Sequence, residues 1–186
     1  MNATTPSSPG GLPTRSEIEN WDTSDLDNAA TRWRVLAAGS EELFAQHRHN
    51  ITAAGGTAWA GDARDAAIDR VTADMGVVRN QGDIQREAAN IAEDGSRDIQ
   101  AAKRDVLNAI ADAEADGFRV GEDLSVTDTR RADLSTMAKR HTARQEHAED
   151  IRWNAERLLQ ADAYLGERLQ AKADELEGVR FAEDGT

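Results

Sequence analysis

GGTAWAGDARDAA, residues Gly55 to Ala67, separates two long stretches with a helical pattern. It sets one large aromatic side chain, Trp59, two residues before Gly61, and a glycine pair ahead of both. On either side, apolar residues recur at steps of three and four, the spacing of one helix face. The steps break at Gly55-Gly56, where glycine costs about 1 kcal/mol in a helix interior and accepts positive φ. The chain is therefore expected to reverse between Gly55 and Gly61. An indole fills the gap that two reversing helices leave at their joint, burying about 150–250 Å². Trp59→Ala is then expected to cost about 3–5 kcal/mol. Gly61, with Ala58, Ala60 and Ala63 around it, removes side chains that would block close backbone approach.

Upstream, Thr23 or Ser24 is expected to cap a helix with Asp25 and Asp27 in its first turn, where acids oppose the dipole favourably. Its stripe is Leu26, Ala29, Ala30, Trp33, Ala37, Ser40, Leu43, Phe44 and His47, fading near Asn50. A short turn precedes it around Ser16 to Trp21. The Ser-, Pro-, Gly- and Thr-rich residues 1–13 read as a disordered leader.

Downstream, a second helix is predicted from Asp62 to Asp116. Ala67, Val71, Met75 and Val78 mark its early stripe. Ile84, Ala88, Ile91, Gly95, Ile99, Ala102, Val106, Ile110 and Ala113 mark the later one, in coiled-coil-like steps. Gly76, Gly82 and Gly95 weaken it locally, so a bend or break is expected near Gly82 or Gly95. Gly117 ends the helix. Residues 118–130 form an ordered connection, pinned to the bundle by Phe118, Val120, Leu124 and Val126. A last helix follows over 131–178, with Leu134, Met137, His141, Ala148, Ile151, Ala155, Leu158, Leu165, Leu169, Ala173 and Leu176 as its stripe; 179–186 is a flexible tail.

The fold class is all-α: an elongated antiparallel helical hairpin over 14–117 with a W-x-G turn, plus a third long helix, as a three- to four-helix bundle. The first helix reaches roughly 38 Å and the second roughly 80 Å. The last helix is expected to fold over the distal half of the second. Whatever it leaves uncovered of Ile91, Ile99, Val106 and Ile110 is a partner face, self-association included.

Composition narrows the function. Of 186 residues, 39% are apolar, much of it alanine, only 4% are aromatic and 31% are charged. A net charge of −13 argues against nucleic acid and anionic membrane surfaces as partners. The absence of cysteine removes disulfides and thiolate chemistry. No stretch approaches the roughly 20 apolar residues of a membrane span. The start, MNATTPSSPGGLP, lacks the basic and apolar blocks of a Sec signal. His47 and His49 point to different helix faces, and His141 lies in an apolar stripe, so no metal site is expected. Ser125 and Ser135 lack the glycines of a nucleophile elbow. No cofactor and no catalytic residues are assigned. The one basic block, Arg130 to Arg144, is expected to pair with acidic helices, in cis or in trans.

Trp59-Ala60-Gly61 between two helices resembles the WXG superfamily of type VII secretion substrates. LPTRSEIENWDTSDLDNAATRWR, GGTAWAGDARDAA and GFRVGEDLSVTDT look like the N-terminal helical region of mycobacterial proteins related to that superfamily. In those proteins the region often precedes a separate effector or hydrolase-like domain. This closer resemblance covers almost the whole chain. It implies a non-enzymatic, secretion-linked helical module that associates with another hairpin or with the type VII machinery. It also implies Sec-independent passage from the cytoplasm to the envelope or outside. The superfamily's export signal is Tyr-x-x-x-Asp/Glu on a later helix. Here Tyr164 is followed by Arg168 at the fourth step, and the acid, Glu167, comes one step early. Tyr164 and Glu167 read either as a degenerate signal or as plain helix residues. A purely structural coiled-coil scaffold with no export role is the alternative.

Overall fold

The computed structural model describes residues 11–53, 61–130 and 135–179. Trp59 and Leu134 lie outside them, as do residues 1–10 and 180–186 of the two expected terminal segments. The described part is all-α apart from one small β-hairpin.

The first helix, α1 (Arg15–Glu19), starts in a capping box. Thr14 Oγ1 accepts from the Glu17 N–H at 3.2 Å, and Glu17 returns a carboxylate to the Thr14 N–H at 2.7 Å. The second, α2 (Ser24–Ala53), follows Asp22, whose carboxylate accepts from the Ser24 N–H and hydroxyl. These bonds hold the Asp22 carboxyl below its usual range. Of the two expected caps, Thr23 turns inward. Its hydroxyl accepts from Ser96 at 2.9 Å and from Gln100 at 2.8 Å.

Helix α3 (Asp62–Ala115) is unbroken, and every residue of its two expected stripes is buried or half-buried. No break interrupts it at Gly82 or Gly95. Helix packing rather than chain breaking uses Gly95: a Cβ there would stand 2.4 Å from Leu165 Cδ1. Gly117, at φ +81°, turns the chain out of the helix.

The connection then forms a hairpin, β1 (Phe118–Val120) antiparallel to β2 (Val126–Asp128). Phe118, Val120, Leu124 and Val126 are all buried in it. The last helix, α4, runs over Met137–Gly178, so Ser135 and Thr136, expected inside it, precede it in a turn. His141 is exposed on it, not in the stripe, whereas His147 is half-buried.

The chain folds as two units. One joins Met1–Asp25 to Asp94–Leu165. Within it α3 and α4 are antiparallel: Gly95 meets Leu165, Asp105 meets Arg157, and Asp116 meets His147. The N-terminal segment lies along α3, also antiparallel. Thr23 meets Ser96, the carbonyls of Glu19 and Trp21 meet Lys103 Nζ, and Arg15 meets Glu114. Pro13, assigned to the leader by composition, is fully buried here, as is Ile18.

The other unit joins Leu26–Glu93 to Gly166–Thr186. Arg34 pairs with Glu93 and Asn90, and Arg86 with Glu41 at 2.5 Å, so α2 and α3 are antiparallel as well. The chain thus reverses between Ala53 and Asp62, across the expected turn. Lys172 of α4 bonds Glu87 of α3 at 2.5 Å.

Candidate helix-association site

In the unit built from α2, the first half of α3 and the end of α4, the core is made of small side chains. Ala30, Ala89 and Ala92 are fully buried, and Leu26, Trp33 and Leu169 pack against them. Alanine at the contact lets helix axes approach closely, but it supplies little area, so the larger side chains close the seam only in part. An apolar groove of about 330 Å³ remains. Trp33 and Leu36 of α2, Ile84 and Ala88 of α3, and Leu169 and Leu176 of α4 line it.

Beside the groove, α2 turns apolar residues to solvent. Leu36 is 56% exposed and Leu43 is 72% exposed. Seven residues apart, they share one helix face. The spacing places Leu43, with Ser40 and His47, in the buried stripe. The observed seam instead follows Leu26, Ala30, Trp33, Ala37, Glu41 and Phe44, because over five turns the 3.6-residue period drifts away from the Ser40–Leu43–His47 branch.

The expected partner face is closed within the chain. Ile91, Ile99, Val106 and Ile110 are all buried, at 8%, 1%, 0% and 2% exposure. Long stripes need a cover, and the antiparallel α4 together with the N-terminal segment meets that need where Ile99, Val106 and Ile110 lie. An exposed apolar edge lies on α2, at Leu36 and Leu43. Of the expected W-x-G pair, Gly61 is described. Its φ is +101°, and its carbonyl accepts from the Arg64 and Asp65 N–H groups at the start of α3. Among the described residues a Cβ there would meet nothing within 4 Å, so backbone conformation rather than close packing calls for glycine. Tyr164 and Glu167 are both exposed on α4, Tyr164 at 61%.

Within the basic block, Arg140 pairs in cis. Arg140 forms an ion pair with Asp128 at 2.5 Å, donates to the Asp116 and Gly117 carbonyls, and lies 3.9 Å over the Phe118 ring. This clamp ties the start of α4 to the β-hairpin and the end of α3. Glu122 of the hairpin loop accepts from the Ser16 N–H and hydroxyl, holding the N-terminal segment to it.

No family model matches the chain, and no solved structure matches it. The chain is 38% identical, over 172 residues, to uncharacterized proteins of Mycobacterium bovis and Mycobacterium tuberculosis. The match takes in 92% of this chain and 52% of each of those proteins, so the chain spans about half the length of the curated relatives it matches. Among the described residues, no helix is long and apolar enough to cross a membrane.

Proposed function

We propose that this chain is a non-enzymatic helical association module that serves type VII secretion. Its partner is another helical hairpin or the secretion machinery. It leaves the cytoplasm by a Sec-independent route and is secreted or held at the envelope. One observation carries the reading: an antiparallel α2–α3 hairpin presents the exposed Leu36–Leu43 edge beside an open apolar groove. Exposed leucines at heptad spacing next to a groove suit helix–helix association. The sequence Trp59-Ala60-Gly61, lying between the antiparallel α2 and α3, supports placing that association in the WXG class. The mycobacterial relatives fit that setting.

The test is the double variant Leu36→Glu/Leu43→Glu in a mycobacterial host with an intact type VII system. Both side chains are exposed, so thermal stability should stay within about 0.5 kcal/mol of the parent. The expected result is normal abundance in the cell and depletion from the culture filtrate. A stable variant that reaches the filtrate at parental levels would show that this edge plays no part in export.

A further inference from the structure

A second surface lies in the unit that contains the β-hairpin. Trp153 and Tyr164 are 57% and 61% exposed on α4. Eleven residues separate them, three turns of helix, so they share one face about 16 Å apart along the axis. Arg157 and Gln160, also exposed, lie between them on that face. Two large aromatics on one solvent-facing stripe are costly to leave in water and are typical anchors of protein recognition.

The neighbouring helix supplies charge. Asp98, Asp105 and Asp112 of α3 are exposed and stand seven residues apart, forming a stripe of their own. Arg157 ties the two stripes side by side: its guanidinium lies 4.8 Å over the Trp153 ring and 3.7 Å from Asp105. From the antiparallel alignment of Gly95 with Leu165 and Asp105 with Arg157, Asp98 falls at the level of Tyr164, within about a turn. Asp112 falls correspondingly near Trp153.

We infer that this face docks a basic amphipathic helix of a protein partner. The chemistry is already displayed once in cis, where Arg157 sits on an indole and beside a carboxylate. A partner helix with Lys or Arg at heptad spacing would repeat it at Asp98 and Asp112, while its apolar residues cover Trp153 and Tyr164. A second copy of this chain, at a net charge of −13, brings the wrong sign. The inference is independent of the secretion reading, because it involves neither the α2 edge nor export.

The test titrates the full chain with a synthetic three-heptad amphipathic helix carrying Lys beside a Leu stripe, and with the same peptide carrying Glu. The readout is the Trp153 indole N–H resonance, assigned with Trp153→Phe. Saturable binding of the Lys peptide that shifts this resonance and weakens with added salt is expected, with no binding of the Glu peptide. Trp153→Ala/Tyr164→Ala and Asp98→Asn/Asp112→Asn should each weaken binding about tenfold, at an unchanged unfolding midpoint. Absence of saturable binding, equal binding of the two peptides, or full affinity in either double variant would overturn the assignment. So would a Trp153 signal that moves with the protein's own concentration, which would make a second copy the occupant.

Discussion

Gly95 of α3 lies beneath Leu165 of α4 so closely that a Cβ on Gly95 would come within 2.4 Å of Cδ1, 2.7 Å of Cδ2 and 2.9 Å of Cγ. Leu165 is itself only 4% exposed, so it has little room to give way. Gly95→Ala therefore overpacks the contact, at a cost of about 1–3 kcal/mol. The better helix propensity of alanine offsets about 1 kcal/mol of this. At Gly39, on the exposed face of α2, a Cβ would meet nothing within 4 Å. Gly39→Ala should raise stability by up to about 1 kcal/mol. Urea unfolding of the two variants should move the midpoint in opposite directions.

Thr23, Ser96 and Gln100 form a polar knot at the junction of the N-terminal segment with α3. Ser96 is 1% exposed and Thr23 is 5% exposed, so a lost partner is not replaced by water. Thr23→Val should destabilise by about 1–3 kcal/mol. Adding Ser96→Ala should then cost less than Ser96→Ala costs alone, since the orphaned hydroxyl is removed. A double-mutant cycle by chemical denaturation reads that coupling.

Acid should loosen the hairpin clamp. The Arg140 guanidinium, and then the Arg130 N–H, hold the Asp128 carboxyl at a pKa of about 2. An unfolded aspartate titrates at about 3.9. The folded value is the lower one, so the stabilisation is fully present above about pH 4 and is lost as pH falls towards 2. Asp128→Asn should therefore lower stability at neutral pH and flatten its decline between about pH 4 and 2. Denaturation midpoints across that range measure both effects.

The helices are legible in the sequence because their signal is local. The three–four steps from Val71 to Ala113 identify the buried side of α3, and Gly117 marks its end. That the last helix lies over the distal half of that stripe follows from helix length, but the share covered by the N-terminal segment is not legible. The segment around Ile18 is polar and short, and its hold on α3 comes from contacts such as Lys103 with the Glu19 and Trp21 carbonyls, which no periodicity announces. The hairpin escapes a pattern search because each strand is only three residues long, although Phe118-Arg119-Val120 does alternate buried, exposed, buried. The isoleucines of α3 form the longer stripe, and their burial accords with that length, because a long stripe is the one a chain closes first. The exposed Leu36–Leu43 pair becomes visible only once the seam of α2 is known to run one position away.

The proposed export through type VII secretion is tested most directly by quantitative culture-filtrate proteomics. The chain is expressed in a mycobacterial host with the type VII ATPase active and with it disabled. The predicted result is protein in the filtrate or envelope fraction with the active ATPase, and protein retained in the cytosol without it. Equal extracellular abundance in the two strains would contradict the claim and would leave the chain as a structural helical scaffold.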